Sequence, residues 1–389
     1  MKPPGRTLSL WYVLAIGSVG AFHPYFAVIL DRRGADGREL ALTLALFPLG
    51  LLVFGPIWGW LADRAPDPKR VIGVALAIAA AGSVAVLAPG AWWLVLPGVV
   101  LIAATRGAAV SIGDVLAVRL LGGGTEGERA YGGVRVWGSV AFIGIVFGVG
   151  LAMDRWPAAP LVVHAGLVLA LAALTWALPA PTPHQRGAGG PSTSVRALLG
   201  SRPLMRLYAV GILHVGAMSL YDNLFAHHVT ILGLGGAVAG GAIALGVAME
   251  VLVLFGGGWL LGRVQPRTLL IVAVLAGVPR WWITGTTDSA AILVATQALH
   301  GLTFGLWWIG GIAYVLREAP PDLRSTAQAG FVASGFGLGN LVALGVASWA
   351  LPAFGSSALF ASLTGVSAAG ALLLPWALSR RSSLSSARP

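Results

Sequence analysis

Apolar runs of about 20 residues recur along almost the whole chain, the length an α-helix needs to cross about 30 Å of hydrocarbon at 1.5 Å per residue. The pattern predicts helical spans at 8–30, 40–62, 71–90, 92–118, 131–153, 160–180, 204–231, 238–262, 268–286, 290–316, 326–351 and 354–378. In the ninth, Pro279, Arg280, Trp281 and Trp282 read as a helix end or an interfacial anchor. The first run, Leu8 to Leu30, follows Lys2 and Arg6 but is too long for a secretory signal and has no small-x-small site before Asp31, so it reads as a retained span.

One segment breaks the pattern. Pro181 to Pro203 is rich in Pro, Gly, Ser and Thr and reads as a flexible polar linker. It predicts an N-terminal six-helix bundle over 1–180, a cytoplasmic linker over 181–203 and a C-terminal six-helix bundle over 204–389. A weak internal repeat supports the division: Gly59-Trp-Leu-Ala-Asp-Arg64 after the second span is echoed by Gly258-Trp-Leu-Leu-Gly-Arg263 after the eighth. Two like-oriented halves with a solute site at the midplane are the architecture of one large transporter class. The expected fold is all-α and integral to the membrane, with twelve transmembrane helices in two pseudo-symmetric bundles.

Composition sharpens this picture. Only 10% of the residues are charged and 57% are hydrophobic, so water is not the main solvent. The net charge of +11 would point to nucleic acid in a soluble protein, but here the basic residues lie between the apolar runs and set topology instead. Placing both termini in the cytoplasm puts about eighteen Lys and Arg inside and about five outside, namely Arg32, Arg33, Arg38, Arg155 and Arg280. With 0 cysteines there is no disulfide framework, thiolate metal site or cysteine nucleophile. No phosphate loop, zinc-ligand spacing or serine elbow stands out, so neither an enzyme nor a cofactor is expected, and a gradient must supply the energy.

The segment Gly59-Trp-Leu-Ala-Asp-Arg-Ala-Pro-Asp-Pro-Lys-Arg70 resembles the loop signature of the major facilitator superfamily, with Pro66 where that signature has Gly. Tyr131-Gly-Gly-Val-Arg-Val-Trp-Gly-Ser139, Glu250, Leu299-His-Gly-Leu-Thr-Phe-Gly305 and the pair Tyr221-Asp222 are similar to its lactose-permease-like and nucleoside-symporter-like branch. The resemblance implies alternating access, a cytoplasmic gate at Asp63, Arg64 and Arg70, and functional Glu and His residues in the eighth and tenth spans. The drug antiporters of that superfamily carry a proline in a Gly-rich fifth span, whereas Gly138, Gly144, Gly148 and Gly150 here have none among them. Import is therefore favoured over the rival reading, proton-coupled export of drugs or amphiphilic compounds.

Ionisable groups inside spans cost about 2.5–3.5 kcal/mol each and so face a cavity or a partner. Glu250, His300 and Asp222 are the candidate proton-coupling residues, because no Lys or Arg lies deep in spans seven, eight, ten, eleven or twelve to match the two carboxyls. A neutral Glu held within the bundle and a packed His are the bland alternatives, and a solvated helix end is the alternative for Asp222. Arg106, Arg135, Asp114, Trp137, Trp307 and Trp308 are the candidate substrate-cavity residues. Asp114 and Arg135 are expected to form an ion pair, and His23 beside Pro24 is expected to mark a kink with a wet imidazole. The combined expectation is a monomer in the cell (inner/plasma) membrane that carries protons and a small solute such as a sugar, a nucleoside or an aromatic acid, with the lipid bilayer as its other partner.

Overall fold

The structure, a computed structural model, describes residues 3–179 and 196–378. Among these residues it is built from helices, and twelve segments are long and apolar enough to cross a membrane once the bent pair Trp92–Ala108 and Ile112–Leu120 is joined and the longest run is divided at Gly355. They are α1 (Gly5–Arg32), α2 (Gly37–Arg64), α3 (Pro68–Ala85), α4 (Trp92–Ala108 and Ile112–Leu120, meeting at 42°), α5 (Gly124–Met153) and α6 (Ala159–Ala177) in one half. The other half holds α7 (Arg202–Ile231), α8 (Gly236–Phe255), α9 (Pro266–Thr286), α10 (Ala290–Glu318) and the run Arg324–Leu374, which Gly355 at φ 78° divides into α11 (324–354) and α12 (356–377). Of the expected linker, residues 181–195 lie outside those described; a short helix, Arg196–Gly200, leads into α7.

Helix ends follow local chemistry. Asp36 starts α2 through a reciprocal box in which its carboxylate accepts the Glu39 N–H at 2.8 Å and the Glu39 carboxylate accepts the Asp36 N–H at 2.9 Å. Asp67 caps α3 with Pro68 at the first helical position. The expected eighth span stops short, because the helix breaks at Gly256 and resumes as a separate turn, Gly257–Leu261. The ninth is continuous through Pro279 to Thr286, so Arg280 does not lie outside the bundle as the loop reading placed it. Two helices carry π segments, Gly301–Leu306 in α10 and Ala333–Gly339 in α11.

The sequence repeat has a structural counterpart. Arg64 lies over the Trp60 ring at 4.4 Å and Arg263 over the Trp259 ring at 4.5 Å. Gly34 and Gly233, which carry the chain out of α1 and α7, both have positive φ, 84° and 76°.

Packing differs between the two faces of the bundle. Away from the termini a single apolar core joins the halves: Tyr25, Phe26 and Leu30 of α1 with Leu224, Phe225 and Val229 of α7, and Leu40 and Leu44 of α2 with Ala347 and Leu351 of α11. On the face that carries the termini each half has its own core, one around Trp11, Ile72 and Leu116, the other around Leu204, Trp307 and Leu323. The halves are closed together on one face and separate on the other. The closed face is dense: Gly150 of α5 packs on Gly236 and Gly240 of α8, and Tyr25 donates its hydroxyl hydrogen to the Val146 carbonyl. Both Asp154 carboxylate oxygens accept the Gly236 N–H, at 2.9 and 3.0 Å, so a side chain from one half caps a helix of the other. Asp31 of α1 lies 3.5 Å from His227 of α7.

Candidate functional site

A cavity of about 290 Å³ runs through the first half beside α1. Its walls are mostly aromatic and aliphatic, from Trp11, Phe22, Phe47, Ile102 and Phe142, and its charged lining residues are Arg106, Asp114 and Arg135. The polar side chains between them are largely engaged. Ser18, Ser83 and Thr105 each donate to a carbonyl of their own helix, at 2.7, 2.7 and 2.9 Å. His164 of α6, which sequence reasoning missed, lines the cavity and donates from Nδ1 to the Ser18 carbonyl at 2.9 Å.

Arg106 reaches this space from α4. Its Nη1 donates to Nδ1 of His23 at 3.4 Å, and its guanidinium lies over the Phe47 ring at 5.6 Å. The kink at His23 is present as a 3₁₀ turn, His23–Tyr25, but the imidazole faces the cavity and a cation rather than bulk water.

Asp114 and Arg135 do not form the expected ion pair. Tyr12 of α1 stands with them: its hydroxyl donates to Asp114 Oδ1 at 2.7 Å and Arg135 lies over its ring at 5.6 Å. Complementary charge at similar depth was the motive for pairing them, and an aromatic from a third helix satisfies both. Exchanging the two charges is therefore not expected to restore what the single changes lose. Tyr12→Phe is expected to lower stability by about 1.5–3 kcal/mol, the worth of a hydrogen bond to a charged group, read as a drop in melting temperature.

Trp137 is corrected as well. It is half exposed and lines no part of the cavity. At 100° per helical residue, a helix that turns Arg135 inward turns the residue two positions later outward. Trp307 is buried against His214, ring centroids 4.7 Å apart, and Trp308 stacks on Phe304 at 6.2 Å, so both belong to the interior of the second half.

In that half, Glu250 of α8 and His300 of α10 meet: Oε2 lies 3.4 Å from Nε2. The approach is possible because Gly246, one turn before Glu250, leaves room for the His300 side chain, which would lie 3.2 Å from a Cβ there. Asp222 of α7 is within electrostatic range of His300, Arg280, Glu250 and Arg106, which is not the setting of a solvated helix end.

The residue that sequence reasoning misplaced is Arg280. It is fully buried, and its Nη1 donates to Thr303 at 2.8 Å while Nη2 donates to Gln297 at 3.0 Å. It also lies over the rings of Tyr221 and Trp281, at 4.2 and 4.5 Å. Trp281 is equally buried and donates to Ser367 Oγ at 3.0 Å, whereas Trp282 is exposed. The second half does contain a buried cation, on α9, the one helix that was set aside. The usable signal was the length of the apolar run on both sides of Pro279.

Asp63, Arg64 and Arg70 are exposed on the face where the halves are apart. Arg64 rests on Trp60, and Arg70 lies 4.0 Å from Asp67 rather than across a helix interface. Among the described residues no group of three or more His, Asp or Glu side chains is placed to hold a metal ion.

Twelve apolar helices in two halves, closed on one face and parted on the other around buried charge, define a membrane transporter of the major facilitator fold. The chain belongs to the MFS_1 like family, whose model matches residues 6–351. It is 30% identical to the maltose permease of Geobacillus stearothermophilus, covering 85% of this chain and 83% of that one. It is 29% identical to a probable 3-phenylpropionic acid transporter of Escherichia coli (strain K12), covering 85% and 87%. Its fold matches the crystal structure of the nucleoside transporter NupG with a TM-score of 0.84 at 15% identity, over 97% of this chain and 100% of that one. The protein is a multi-pass membrane transporter, not an enzyme.

Proposed function

We propose that the chain is a proton-coupled importer that carries a small polar solute by alternating access. The observation that carries this reading is the Glu250–His300 contact at 3.4 Å, with Asp222 within electrostatic range of both and of Arg106. A carboxyl can take up and give up a proton, and a neighbouring imidazole gives that proton a place to go. Glu250, His300 and Asp222 are assigned to proton coupling. Arg106, Arg135 and Asp114 are assigned to the solute cavity, which Trp307 and Trp308, inside the second half, do not line.

The halves divide at the linker 181–203, and the protein works as a monomer in the cell (inner/plasma) membrane. The positive-inside rule puts both termini, and with them the open face, in the cytoplasm. In this inward-open arrangement Asp63, Arg64 and Arg70 form a released gate that engages when the inner face closes. The names of the relatives support a sugar or an aromatic acid as solute, and the fold of a nucleoside transporter keeps a nucleoside in the set.

The test is uptake into liposomes containing the purified chain. Accumulation is expected when the interior is alkaline, with no requirement for sodium. Saturable flux that ignores a pH gradient, or follows a sodium gradient instead, would refute proton coupling.

A further inference from the structure

Six side chains that carry charge when ionised lie in the first-half cavity or within electrostatic range of one another across the halves. Arg106, Arg135 and Asp114 come from the first half, Arg280, Asp222 and Glu250 from the second. Three guanidinium groups face three carboxyls, so the empty site is neutral with all six ionised. The imidazoles His23 and His164 line the cavity of the first half and His214 and His300 lie inside the second, each engaged with a neighbouring group. The hydroxyls of Tyr12 and Tyr221 complete the titratable set.

The six charges are not equally engaged. Asp114 accepts from Tyr12, and Arg280 donates to Thr303 and Gln297. Among the described residues Arg106 has the His23 nitrogen and the face of Phe47, whereas Arg135 shares Tyr12 with Asp114. A guanidinium removed from water without a carboxylate within 4 Å is costly, and the missing partner is an anion. The space before it is walled by Phe22, Phe47 and Phe142. Ser18, Ser83 and Thr105 are spent on their own backbones, so few donors remain for a hydroxyl-rich solute. Aromatic walls around Arg106, with Arg135 balanced by Asp114 through their shared Tyr12, match a flat apolar group ending in a single carboxylate.

We propose that the solute is a monocarboxylate bearing an aromatic or similarly compact apolar group, taken up with one proton so that transport is electroneutral. This rests on the importer reading above. The carboxylate binds Arg106 in competition with Asp222, which stays beside Arg280. The site then holds three positive and four negative charges in a space shielded from water. A proton taken from the outer medium onto Glu250, which has no guanidinium within 4 Å, restores neutrality. The loaded and empty sites carry the same charge, and both can cross between the two faces. The solute itself thus makes the proton necessary.

The experiment uses the full chain in detergent and in liposomes with three probes: 3-phenylpropanoate, its neutral amide 3-phenylpropanamide, and maltose. The acid is expected to raise the melting temperature while the amide and maltose do not. Arg106→Gln is expected to remove that rise, and Arg106→Lys to keep part of it. In liposomes, uptake of the acid above the Arg106→Gln background is expected to follow an inside-alkaline pH gradient and to be unchanged by a potassium-valinomycin potential. Proton-driven uptake of maltose or of the amide, with the acid inert, overturns the solute class and leaves the importer standing. Acid uptake that rises severalfold with an inside-negative potential overturns the one-proton coupling. Acid bound but not accumulated by a pH gradient overturns the importer and the coupling together.

Discussion

Glu250→Gln is expected to bind and exchange solute as the parent does, yet to bring it only to equal concentration on the two sides of a membrane. The amide keeps the volume of the side chain and its reach to His300, but it cannot give up or take a proton. A pH difference of one unit is worth about 1.4 kcal/mol, so an electroneutral proton symporter sustains about tenfold accumulation per unit. The variant should show none of it while counterflow of labelled solute persists. Parent-level accumulation in the variant would place the coupling elsewhere. Loss of both accumulation and counterflow would make Glu250 a binding or folding residue instead.

Gly150→Val is expected to push the closed face apart. A Cβ at this position would lie 2.5 Å from the Gly236 carbonyl oxygen and 3.1 Å from the Gly240 Cα across the junction between the halves, and 2.8 Å from the Tyr25 hydroxyl of its own half. Backbone cannot swing aside as a side-chain tip can, and overpacking of this kind costs about 1–3 kcal/mol. Set against the conformation seen here, that shifts the two-state balance by roughly five- to 150-fold toward the opposite-facing state. The chain has 0 cysteines, so one introduced cysteine reports without background. Leu224→Cys, buried in the shared core, should react faster with a thiol reagent in the Gly150→Val background than in the parent. Gly148→Val is the control on the same helix, since nothing lies within 4 Å of its added Cβ. Equal labelling in all three proteins would mean that the α5–α8 contact does not hold the closed face.

The spans were legible in the sequence because solvation by lipid leaves a one-dimensional trace: each crossing must be apolar for about 20 residues. Which residues face inward is a matter of rotation about each helix, and there the reading divides. Glu250 and His300 stand 50 positions apart, and their resemblance to functional residues of a known family singled them out; the structure then puts them in contact. Trp137 was expected in the cavity for its aromatic face, although two residues of helix separate it from the inward Arg135 by more than half a turn. The proposed Asp114–Arg135 pair failed for a different reason, since no pairwise argument about charge can foresee a tyrosine arriving from 102 positions away. Arg280 was lost to local punctuation. Pro279 and two tryptophans carry the signature of an interface, and only tertiary packing shows that the helix continues and turns Arg280 and Trp281 inward.

The π segments of α10 and α11 give the second half a freedom that the first half does not share among its described residues. A π turn accommodates one residue more than an α turn. Letting that residue migrate along the helix, or expelling it at one end, rotates everything beyond it by about 100°. In α10 the segment begins directly after His300 and ends directly before Trp307. A migration of that kind would hold the imidazole against Glu250 while carrying the two tryptophans around the axis, so the Glu250–His300 contact and the Trp307–Trp308 face on one helix can be set independently.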